Sequence, residues 1–149
     1  MAKSDVSAAQ IQKAFDNELI ELVLDAAWGR FRQDLPAMIC AGKGDQVARM
    51  ISVLPRASWI VLLTCLLEFK MTVRDAALSP QIAAMALAAY EALGAVAHAD
   101  YVRWLMKDGA KASEEEHSKR EMAVNRDTTP HRLRIQFIRE NAYEFAEDS

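Results

Sequence analysis

An all-α, single-domain helical bundle is the fold this chain predicts, and three observations predict it. All four prolines, Pro36, Pro55, Pro80 and Pro130, read as helix starts. Proline fits the first helical turn because its missing N–H has no partner there. Ser79 and Thr129 precede two of those prolines, and Ser113 stands three residues before Glu116, which are N-cap and capping-box patterns. Apolar residues recur at three- and four-residue steps, and sustained strand alternation is absent. The nearest approach to a strand, His131 to Phe137, runs into Ile138 and a helical spacing.

A chain of 149 residues with 52% hydrophobic and 26% charged side chains has enough apolar surface for one core of its own. Five to seven helices are expected. Residues 1–109 form the main bundle, 110–128 a polar linker or weak helix, and 129–149 a C-terminal helix with an acidic tail.

The first helix is expected over about Ser7 to Phe31. There Ile11, Phe15, Leu19, Leu22 and Ala26 share one face, away from most of the acidic residues. A short helix follows Pro36. Gly42-Lys43-Gly44 then makes a turn, and Asp45 caps a helix from Gln46 to Val53. Arg56 to Val73 is apolar nearly all round, which places Trp59, Leu62, Leu63, Leu66 and Leu67 at the centre of the core. Pro80 to Lys107 reads as one long alanine-rich helix whose small side chains let a neighbour approach closely, with Gly109 as its stop. Pro130 to Phe145 is the last helix, docked by Leu133, Phe137, Ile138 and Phe145.

The longest apolar run, Trp59 to Leu67, is far shorter than the roughly 20 residues of a membrane span. The first residues carry no apolar signal region. A cytoplasmic protein without membrane contact is expected, with Cys40 and Cys65 as buried free thiols.

Local motifs for chemistry are weak. Gly42-Lys43-Gly44 lacks the spacing and the flanking strand of a phosphate loop. His98, with Asp100 two residues on, points away from that acid on a helix. His117 follows three glutamates that suit a helix N-terminus, and neither histidine fits a zinc pattern. Ser52, Ser58 and Ser79 have no nucleophile-elbow context. The expectation is a non-catalytic protein with no cofactor and no metal.

Charge placement is the functional clue. Residues 30–74 carry 7 basic and 3 acidic side chains, a balance of +4. Residues 117–139 carry 6 basic and 2 acidic, again +4, and the remainder carries 5 basic and 16 acidic, a balance of −11. If the two positive segments meet, the molecule has a basic face suited to phosphates, on which arginine offers a planar fork of donors. The residues expected there are Arg30, Arg32, Lys43, Arg49, Arg56, Arg126, Arg132, Arg134 and Arg139. The alternatives are ordinary solvated helix faces, or a basic face that docks on the acidic face of the next copy in head-to-tail self-association.

Residues 31–54 bear on the choice. Phe31, Leu35-Pro36, Ile39, the turn glycine Gly42 or Gly44, and the amphipathic helix from Gln46 to Val53 follow in order. This stretch resembles the helical small subunit of type III-B CRISPR effector complexes and, more loosely, small subunits of other class 1 effectors. The resemblance implies a non-catalytic subunit that stacks in several copies along a guide RNA and its target, steadying the backbone without reading sequence. The partners expected are other protein subunits, with guide RNA or single-stranded nucleic acid. The competing expectation is a protein–protein adaptor or oligomeric scaffold, of phage or plasmid origin, with no nucleic-acid role. Whether the arginines share one open face or are scattered and paired separates the two.

Overall fold

The computed structural model describes residues 7–28, 31 and 33–145. Among these residues the secondary structure is helical throughout, in eleven helices rather than five to seven. They are α1 (Ala8–Lys13), α2 (Asp16–Trp28), α3 (Leu35–Cys40), α4 (Gly44–Ser52), α5 (Arg56–Phe69), α6 (Val73–Ala76), α7 (Pro80–Leu93), α8 (Val96–Asp108), α9 (Glu114–Asn125), α10 (Thr129–Glu140) and α11 (Ala142–Phe145). Residues 110–128 thus contain a regular helix, α9, which Ser113 caps by accepting from the Glu116 N–H at 3.2 Å.

The higher count comes from breaks inside segments expected to be continuous. The expected first helix stops at Ala14, whose backbone is extended (φ −65°, ψ 144°), and resumes at Asp16. Phe15 sits in the break and is 72% exposed, so it does not share the buried face with Ile11 and Leu19. The expected long helix divides at Gly94, which takes the left-handed conformation (φ 81°) that a side chain makes costly. The Gly94 N–H donates to Glu91 O at 3.1 Å and the Ala95 N–H to Tyr90 O at 2.9 Å, closing the turn so that α8 folds back along α7. The expected last helix likewise ends at Glu140 and restarts at Ala142.

The four prolines all lie at helix starts, as N-cap of α5 or within the first turn of α3, α7 and α10. Asp45, by contrast, is not the cap of α4. Lys43 holds the N-cap position and Asp45 lies in the first turn, where its charge suits the helix end. The glycine turn is as expected. Gly42 has φ 83°, and the Lys43 N–H donates to Met38 O at 2.9 Å. Gly44 serves another purpose, because a Cβ built there would lie 2.2 Å from Ser79 Oγ and 2.4 Å from Ser79 Cβ. Gly44→Ala is therefore expected to force α4 away from the N-terminus of α7 and to cost about 1–3 kcal/mol, read from denaturant unfolding.

Helix α5 organises the core. Leu62, Leu63, Leu66 and Leu67 face a large cluster with Ile82, Ala86, Tyr90 and Val102 of α7 and α8. Ala57, Val61 and Cys65, four residues apart, face a second cluster with Ile11, Leu19, Ile138 and Phe145. Both faces of α5 are buried, which is why its sequence is apolar all round. Trp59 is half-buried at the edge of the first cluster. Cys65 is buried and Cys40 is exposed, so only one of the thiols expected in the core lies there. Burial pushes the Cys65 thiol up to about 11, which keeps it protonated and inert. No helix among the described residues is long and apolar enough to cross a membrane.

Candidate functional site

The nine basic residues expected to form a nucleic-acid surface fall into distinct environments. Arg30 and Arg32 lie outside the described residues. Lys43, Arg56, Arg126 and Arg132 are exposed, and their side chains make no ion pair or hydrogen bond to the described residues. Arg49 is also exposed and lies 3.6 Å from Asp45 on the same helix face, a contact of small energetic weight at that exposure.

Arg134 is not on the surface. It is fully buried, with 0% of its side chain exposed, and its Nη1 and Nη2 grip the Glu68 carboxylate in a fork, Nη2 donating to Oε1 at 3.0 Å. The Tyr90 hydroxyl donates to the same carboxylate at 3.3 Å. Arg134 also lies 5.7 Å from the centre of the Phe69 ring. Burial alone would favour losing the Arg134 charge, but the hydrogen bonds with Glu68 together with the charge interactions of Cys65, Glu68 and Tyr90 outweigh it and raise its pKa, so the guanidinium stays charged inside the protein. The position follows from helical spacing. Pro130, Arg134 and Ile138, four residues apart, are the buried stripe of α10, so an arginine occupies a core register.

Arg139 is a structural residue as well. Its Nη1 donates to Ile11 O at 3.0 Å, and its Nη2 donates to Ala14 O at 2.8 Å and Asp16 Oδ1 at 2.6 Å. It thereby satisfies carbonyls at the end of α1, which have no helical partner, and fixes the break before α2. Two of the six basic residues in the C-terminal segment, Arg134 and Arg139, are thus engaged in internal contacts.

The Glu68–Arg134 pair forms the floor of a cleft between the C-terminal end of α5, α8 and the α9–α10 junction, with a volume of about 630 Å³. Beside the pair is His98, 3% exposed, whose ring packs against Tyr90 with centroids 5.0 Å apart. His98 Nδ1 has no hydrogen-bond partner among the described residues, and Asp127 Oδ2 lies 3.9 Å away, beyond bonding distance. Asp127 is turned to α10 instead, its Oδ1 accepting the Thr129 N–H at 2.9 Å. Hydrogen bonding to Thr129 holds the Asp127 carboxyl below the usual carboxylate range.

Burial lowers the His98 pKa, and the carboxylates of Glu68 and Asp127 only partly offset that. Above about pH 6.5 His98 is neutral in both folded and unfolded chains and adds no pH dependence. As pH falls below that value the unfolded chain takes up a proton that the folded protein resists, so stability declines until the folded pKa is passed, then levels. Urea midpoints measured from about pH 7 to about pH 5 are expected to fall, and to fall less in His98→Gln. Asp127 contributes its own loss only at lower pH, below its depressed pKa.

Sequence reasoning missed Glu68, Tyr90, His98 and Asp127 as a group, because they converge from α5, α7, α8 and a loop. One signal was available: Glu68 is the only charge between Ala57 and Phe69, on a helix that is otherwise apolar. His117 is likewise internal. Its Nε2 lies 2.7 Å from Gly109 O and its ring stands edge-on to Trp104 at 4.9 Å, tying α9 to the end of α8. Comparison with known proteins finds no family model, no curated protein and no solved structure that matches this chain.

Proposed function

We propose that this chain is a non-catalytic helical subunit that acts by joining protein partners into a larger assembly. One observation carries the reading: Arg134 and Arg139, two of the six basic residues of the C-terminal segment, are engaged by Glu68, Asp16 and backbone carbonyls. A phosphate-binding surface needs guanidinium groups open to solvent. Each of these two arginines is paired with a carboxylate, and the chain's net charge of −3 sets its long-range field. Such a field opposes a polyanion and favours basic protein surfaces.

A second reading keeps a nucleic-acid role of the kind the resemblance to CRISPR small subunits implies. Its support is the exposure of Lys43, Arg49 and Arg56 around α4 and the start of α5, with Arg126 and Arg132 at the α9–α10 junction. One experiment separates the readings. The tagged protein is captured from its native host and the bound material is treated with nuclease before elution. The adaptor reading expects the protein partners to remain bound. Release of those partners together with nucleic acid fragments would favour the nucleoprotein reading.

A further inference from the structure

The cleft above the Glu68–Arg134 pair falls within the range of small-molecule sites, about 300–1,000 Å³, and its walls differ in chemistry. Phe69 and Val124 supply apolar surface, with Phe69 61% exposed. Thr128, His131 and Arg132 supply polar groups. Both carboxylates of the cleft are engaged inward, Glu68 by Arg134 and Tyr90, Asp127 by the first amide of α10. The Arg132 guanidinium is exposed with no ion pair or hydrogen bond among the described residues, so it is the cleft's available cation. At its floor the Arg134 Nε–H is fully buried with no acceptor among the described residues, and His98 Nδ1 is buried and unpartnered beside it. Unpartnered buried polar groups of this kind are rare in folded proteins and single out this part of the molecule.

We propose that this cleft binds a small organic anion, a carboxylate on a compact aromatic or aliphatic body, with the carboxylate on Arg132 and the body against Phe69. An arginine fork matches a carboxylate in shape and charge. A cationic ligand is disfavoured, because the Arg134 guanidinium already lies 5.7 Å from the Phe69 ring and would repel it. The site does not depend on the adaptor reading.

Benzoate titrated into the full chain and followed by NMR is the test. Saturable shifts are expected at His131, Thr129 and Phe69, with a dissociation constant on the order of 1 mM. Benzyl alcohol, which keeps the ring and loses the charge, is expected to bind at least about tenfold more weakly. Arg132→Gln should cause a similar loss, and Phe69→Leu a smaller one. Arg126→Gln, outside the cleft wall, should leave the affinity unchanged. Both arginines are exposed and make no contact that folding needs. The proposal is overturned if benzoate gives no saturable shift at these residues, if benzyl alcohol binds equally well, or if Arg132→Gln binds benzoate like the unaltered chain.

Discussion

Glu68→Ala is expected to destabilise the fold by about 3–5 kcal/mol, because it strands a charged guanidinium in the core. Arg134 has no exposed surface, and Glu68 accepts both arms of its fork as well as the Tyr90 hydroxyl. The energy is mostly the penalty for the unpaired charge and not the worth of the pair. Removing both charges should therefore cost far less. The double variant Glu68→Leu/Arg134→Met is expected to regain most of the loss, since a well-packed apolar pair can replace a buried ion pair at little net cost. Denaturant unfolding of Glu68→Ala and of the double variant checks this. If Glu68→Ala lost less than about 1 kcal/mol, Arg134 would have to reach solvent easily, and its assignment to the core would fail.

Leu63→Ala is expected to cost about 2–5 kcal/mol. Leu63 is 1% exposed and lies in the large cluster between α5 and α7, where neighbours on both helices hold the cavity open. A loss below about 1 kcal/mol would mean that this face of α5 is not a core at all. Because α5 is buried on two faces, Val61→Ala is expected to be felt separately, through the cluster with Ile11 and Ile138. The two sites are on different sides of one helix, so their effects should be close to additive.

What could be read from the sequence, and what could not, follows from the range of each interaction. The prolines mark helix starts because their constraint is local, and α3, α5, α7 and α10 begin beside them. The centre of α5 was legible because burial on all sides leaves only apolar residues. Gly94 was not read as a break, since a glycine within an alanine-rich run is compatible with a helix. What decides it is the packing of α8 back on α7, which lies outside local sequence. The break at Ala14 depends on Arg139, more than a hundred residues away, capturing the carbonyls at the end of α1. The charge reading failed at Arg134 for a related reason. Its sign was plain, but its partner Glu68 is 66 residues distant and counted only as a deduction from a different segment. The cleft was illegible because no two of Glu68, Tyr90, His98 and Asp127 share an element.

Arg134 is withdrawn from the surface, and the salt dependence of nucleic-acid binding reads that withdrawal. A labelled single-stranded RNA is titrated with the unaltered chain and with the Glu68→Leu/Arg134→Met variant, and log affinity is followed against log salt. Each phosphate contact contributes a slope of about −0.7 for single strands. Binding is expected to be weak in both, with a slope that does not change when Arg134 is lost. A folded double variant whose slope is shallower by about 0.7 than that of the unaltered chain would place Arg134 on a phosphate and contradict it.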